Sequence, residues 1–335
     1  MNRNNLLELI QAGDLDAIER YLNHFVINPE SLRKYLQYLL VLSSPSTHFQ
    51  WREECGWLHP IVVLNAIKNI CGSRIENPSF PLLKYATSLK GFPDKVPLQG
   101  TWPQISEEER IKPLFIMDFR TALAAKDFDA ALFEAAKIKL MSENKTYVLE
   151  IICDAFLDQF ATVGLLSYSF YRAGAFCPQE DVQHFVFSLL EFLLSPASTS
   201  SSFPETDSSL PAVYAAIHRL QNTGSVLENS FSKVELSEFK IPPGNSVAPE
   251  IAQSALRGND IYEAWTGSDP ETLGILMQDI TLSGDKSWPL QLVEKRLLNG
   301  EEINPFWLVK LDTVQYLLRV DAGWGAVDLA FYLLQ

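Results

Sequence analysis

Few residues in this chain carry versatile chemistry, and their spacing limits what they can do. Five histidines occur: His24, His48, His59, His184 and His218. His59 stands in Trp57-Leu-His59-Pro60, with Trp51 and Cys55 close by. A residue before proline is biased away from the α region, so His59 is expected at the mouth of a helix. There an imidazole can act as acid, base or ligand, or simply cap the helix. A carboxylate di-metal site would need Glu-x-x-His on inward helix faces. The nearest approach is Asp181-Val-Gln-His184, in a single copy. Glu150, Asp154 and Asp158 follow at intervals of four, which places them on one helix face. Like charges so spaced destabilise a helix, so either they line a cleft for a basic partner or they form its solvated stripe.

Other chemistries lack their local signatures. The chain has no GxGxxG, no GxxxxGK[ST] and no GxSxG, so phosphate cradles and nucleophile elbows are not written in it. Cys55, Cys71, Cys153 and Cys177 form no C-x-x-C pair, so no zinc ribbon or dithiol site is expected. No metal and no cofactor is expected on these grounds. The sequon Asn144-Lys-Thr146 reads as chance. The Leu58-His59-Pro60 opening to a helix resembles a short stretch in questin-oxidase-like oxygenases; the likeness ends there, too little to place the chain in that family.

The elements that must position these residues are helical. Leu6, Leu7, Ile10, Leu15, Ile18 and Leu22 fit two amphipathic helices broken at Gly13-Asp14, and Leu32 to Leu40 a third. Pro60 suits a first helical turn leading into Ile61–Ile70. Pro78, Pro81, Pro93, Pro97 and Pro103 make 75–105 read as an irregular connection. Ile111–Ala125, Asp129–Met141, Tyr147–Tyr171 and Val182–Leu194 continue the helical spacing. The Ser- and Pro-rich run 195–211 reads as a linker. Val234–Ile241 alternates weakly, as a short extended segment would. Ala12-Gly-Asp-Leu-Asp-Ala17 echoes in Ala125-Lys-Asp-Phe-Asp-Ala130, and more loosely in Gly258-Asn-Asp-Ile-Tyr-Glu263. Each Asp can cap the helix after it. The copies lie much further apart than the roughly 20–50-residue period of a regular array.

The expected fold is therefore all-α: stacked helical hairpins, possible as a degenerate helical-repeat array, in subdomains 1–100, 104–194 and 212–335.

Composition narrows the function classes. The chain has 335 residues, 47% of them hydrophobic, which excludes disorder throughout. Lys+Arg number 27 against 41 Asp+Glu, a net charge of −14. Nucleic-acid binding needs an excess of cations, and an anionic membrane would repel this chain. Neither partner is expected. Acidic Glu8 and the lack of an apolar run near the N-terminus speak against a signal peptide, so a reducing, cytoplasmic setting is the expectation. The aromatics Phe306, Trp307, Tyr316, Trp324, Phe331 and Tyr332 suggest a C-terminal helix docked in the core.

Two functional readings follow. In the first, a soluble scaffold or adaptor holds a protein partner on an acidic helical surface, with Trp57, Glu150, Asp154 and Asp158 as binding residues. In the second, an all-α oxygenase- or lyase-like enzyme uses His59, His184 and the Glu150/Asp154/Asp158 stripe in a cavity between helices.

Overall fold

The structure, a computed structural model, describes residues 3–26, 28–46, 49–50, 57–93, 100–156, 163–194, 284 and 286–320. The fold is all-α, with thirteen helices among the described residues. Its first three helices are α1 (Arg3–Ala12), α2 (Leu15–Phe25) and α3 (Pro29–Ser43). A two-stranded antiparallel ribbon follows, β1 (Phe49–Gln50) and β2 (Trp57–Leu58), with Phe49 opposite Leu58. It leads into α4 (Pro60–Cys71), a short 3₁₀ turn, and α5 (Phe80–Thr87). The middle of the chain forms α6 (Glu107–Arg110), α7 (Ile116–Ala125), α8 (Phe128–Met141), α9 (Tyr147–Ala155), α10 (Leu165–Phe176) and α11 (Gln179–Leu194). Two further helices are α12 (Trp288–Leu298) and α13 (Pro305–Val320).

The two closest sequence echoes are built the same way. Gly13 takes a left-handed φ of 62°, and Asp14 then caps α2 by accepting from the N–H groups of Asp16 and Ala17. At the second echo Lys126 takes the left-handed position (φ 56°), and Asp127 accepts from the Ala130 N–H at 3.0 Å. The third echo and the Val234–Ile241 alternation lie outside the described residues, as does the 195–211 run. Three expected boundaries move. The 75–105 stretch is not wholly irregular, because Ser79 caps α5 and Pro81 occupies its first turn, where a missing N–H costs nothing. The expected helix from Ile111 begins at Ile116, because Pro113 disfavours helical backbone at Lys112. Within the expected helix 147–171, α9 ends at Ala155 and α10 begins at Leu165, with 157–162 outside the described residues. The apolar residues on both sides keep helical spacing, so periodicity does not reveal that α9 stops at Ala155.

Helix α4 organises the core. All of its twelve residues but Asn69 are buried, as expected of a helix that is apolar over most of its surface. It packs against α3, α5, α10, α12 and α13, and its interface with α13 is the broadest between two helices among the described residues. One continuous cluster of buried side chains runs from Leu6 to Val314 and draws on all three stretches of chain. Phe306 joins that cluster and Trp307 packs against it, while Trp324, Phe331, Tyr332 and the side chain of Tyr316 lie outside the described residues. No helix among the described residues is long and apolar enough to cross a membrane.

Candidate functional site

His59 is the N-cap of α4. Its backbone is extended, as its position before proline requires, and its side chain is 1% exposed. Nδ1 accepts from the Ile61 N–H at 3.1 Å, which leaves Nε2 to donate to the Ser46 carbonyl at 2.8 Å. Both nitrogens therefore hold backbone, and the ring sits between Phe170 and Phe192. Trp57 lies in β2, with its side chain outside the described residues.

The acid stripe is divided among internal partners. Glu150 is buried and accepts from Asn144 Nδ2 at 2.9 Å and Thr146 Oγ1 at 3.1 Å, closing the first turn of α9. Asp154 pairs with Arg120 of α7, which offsets the charge repulsion that the spacing implies. Asp158 falls outside the described residues. His184 is elsewhere, beside the Arg3–Asp181 ion pair that ties α1 to α11. Its ring is 4% exposed, and neither nitrogen has a hydrogen-bond partner among the described residues. Burial first, then the Arg3 charge, hold it below the ordinary histidine pKa, against the opposing pull of Asp181. Among the described residues, no group of three or more His, Cys, Asp or Glu side chains could hold a metal ion. Cys71, Cys153 and Cys177 are buried thiols. Burial pushes those of Cys71 and Cys177 up to about 12 and that of Cys153 higher still.

Three features were not read from the sequence. The first is a polar spine between α4, α10 and α13. Lys68 Nζ donates to Asn65 Oδ1 at 3.0 Å and lies 5.2 Å from the centre of the Phe176 ring. Asn65 Nδ2 donates in turn to the carbonyls of Ile61 and Ser169, both at 2.9 Å. Asn69 Nδ2 donates to Asp312 Oδ2 at 2.8 Å, and Arg172 to the Tyr168 hydroxyl at 3.2 Å. Burial, reinforced by Arg172 and opposed by Asp312, lowers the Lys68 amine to about 7. The signal was present: Asn65, Lys68 and Asn69 share one face of an otherwise apolar helix.

The second is a cavity of about 270 Å³ between the 100–105 segment, the end of α8 and the starts of α9 and α11. Trp102 forms one wall, its ring edge-on to Phe187 at 5.1 Å and 4.8 Å from Lys139 Nζ. Gly100 makes that wall possible. A Cβ there would lie 2.3 Å from Phe187 Cδ1, so only a glycine lets the chain lie on the ring. Gly100→Ala should lower stability by about 1–3 kcal/mol in urea unfolding, and Phe187→Leu on that background should recover part of the loss.

The third is a set of exposed apolar side chains between α6 and α7, at the start of α7 and at the end of α8. Ile111, Phe115, Met117, Leu140 and Met141 are each at least 56% exposed. The two-residue turn between α7 and α8 brings the start of one beside the end of the other. A depression of about 230 Å³ beside Leu140 and Met141 is lined by Ile105, Glu109, Arg110 and Lys137 as well. Glu107, Glu108 and Asp118 are exposed on the same elements. No family model matches the chain, and no curated protein or solved structure does either.

Proposed function

We propose that this chain is a helical adaptor that binds a protein partner through an acidic, apolar-centred surface. The patch at Ile111, Phe115, Met117, Leu140 and Met141 carries the reading. Monomeric proteins seldom leave several large apolar side chains together in water, and methionines adapt to varied partners. Exposed Glu107, Glu108 and Asp118 outnumber exposed Arg110 and Lys112 on the same stretch and, with the net charge of −14, favour a partner segment with a basic edge. An amphipathic helix with an apolar face and flanking lysines has that chemistry. The surface so proposed differs from the Glu150/Asp154 stripe, whose described carboxylates serve contacts within the chain. A cytoplasmic setting belongs to the same reading, supported by the unpaired thiols of Cys71, Cys153 and Cys177. The enzyme reading through His59, His184 and the acid stripe has less support, since both ring nitrogens of His59 are committed to backbone.

The test is titration with two synthetic amphipathic helices that share a leucine face, one flanked by lysine and the other by glutamate. The lysine peptide should bind, more weakly as salt rises. Phe115→Asp with Met117→Asp should reduce that affinity at least about tenfold without unfolding the protein. Equal binding of both peptides, or no response to the double substitution, refutes the proposal.

A further inference from the structure

We infer that the cavity beside Trp102 is a binding site for a small, flat organic anion, an aromatic monocarboxylate being the simplest example. Its walls combine two chemistries. Ile138, Val148, Val182 and Val186 supply an apolar surface next to the Trp102 indole. Lys139 brings an amine to a chain whose net charge is −14, and the Lys145 side chain lines the same space. Lys145 is held in place: its Nζ donates to the carbonyls of Ala175 and Cys177 near the end of α10. Lys139 lies over the indole ring.

The start of α11 opens on the same space through Gln179 and Glu180. The first turn of a sixteen-residue helix carries the positive end of its dipole, which favours an anion, while the Asp181 N–H of that turn is bonded to the Pro178 carbonyl. Glu180 opposes a dianion, so a single negative charge suits the balance. Gln183 can donate to a carboxylate oxygen, as can the second hydrogen on Asn144 Nδ2, whose first is held by Glu150. The independent observation is the Trp102 indole N–H. That nitrogen is buried and has no hydrogen-bond partner among the described residues. A buried donor left without an acceptor is a standing cost to the fold, which a ligand that accepts from it would remove. The volume, about 270 Å³, lies near the lower end of the range for ligand pockets and suits a single substituted ring.

The experiment is calorimetric titration of the full chain with benzoate, benzylamine and inorganic phosphate. Nitrogen-labelled indole resonances are followed in parallel, with the Trp102 signal identified by its loss in Trp102→Phe. Benzoate should bind at a single site and shift the Trp102 signal, benzylamine should not bind, and phosphate should bind at least about tenfold more weakly. Lys139 is exposed, so Lys139→Gln should leave the fold intact while weakening benzoate about tenfold. Three outcomes overturn the inference: no saturable benzoate binding up to about 10 mM, binding that ignores Lys139→Gln, or binding that leaves the Trp102 resonance in place. Phosphate bound as tightly as benzoate would refute the flat apolar part of the ligand. Because none of these readouts involves Phe115 or Met117, failure here is distinct from failure of the adaptor reading.

Discussion

From about pH 7 to about pH 8 the wild-type protein should gain roughly 1 kcal/mol more stability than Lys68→Met does. The cause is the amine at the centre of the α4–α10–α13 interface. Burial holds it near 7 in the folded chain, whereas an unfolded lysine titrates near 10.5. Between those values the unfolded chain carries a proton that the folded chain has released, so stability rises with pH. Below about 7 both states are protonated and the penalty for the buried charge is constant. Lys68→Met removes it, so the variant is the more stable protein at neutral pH and the difference shrinks as the solution becomes alkaline. The wild-type gain cannot continue upward. Cys71, Cys153 and Cys177 ionise in the unfolded chain above about 8.5 but are held protonated in the fold, so stability falls there. Urea unfolding at a series of pH values reads this directly. Parallel curves for wild type and Lys68→Met would mean that the amine is hydrated and the spine more open than described.

Leu311→Ala should cost about 2–5 kcal/mol and should lower the unfolding midpoint of the whole described core together. Leu311 is fully buried on α13, the helix with the broadest contact on α4, and its side chain belongs to the cluster that reaches Leu6. Removing it leaves a cavity that rigid neighbours on both helices cannot fill. Circular dichroism and tryptophan fluorescence should trace one shared transition in the variant, as in the wild type. Two separated transitions, with the first 194 residues unaffected, would show that α12 and α13 form an independent unit.

Legibility in the sequence followed the physics of each feature. Helices with one wet face, such as α2 and α3, announce themselves because buried Ile18 and Leu22, or Leu32, Leu36 and Leu39, recur at helical spacing. The Gly13 and Asp127 turns were legible because left-handed backbone and capping depend on local residue type. His59 was rightly expected at a helix mouth, since proline acts on its immediate neighbour, but its partner Ser46 is a backbone carbonyl that no residue type announces. The partners Arg120 of Asp154 and Asp312 of Asn69 lie 34 and 243 residues away, and periodicity carries no information about such pairing. The cavity was invisible for the same reason. Its walls come from three separate stretches, and the glycine that lets two of them meet looks like any loop glycine.

Helix α4 has a consequence for how the protein is made. Residues 60–71 leave the ribosome well before residues 305–320, which cover their broadest side. At about 5–20 residues per second, translation leaves that oily flank bare for roughly ten to fifty seconds. Collisions between nascent chains on one messenger, or capture by a holding chaperone, act within that interval. The yield of this protein in a cell is therefore set by what shelters α4 until α13 arrives.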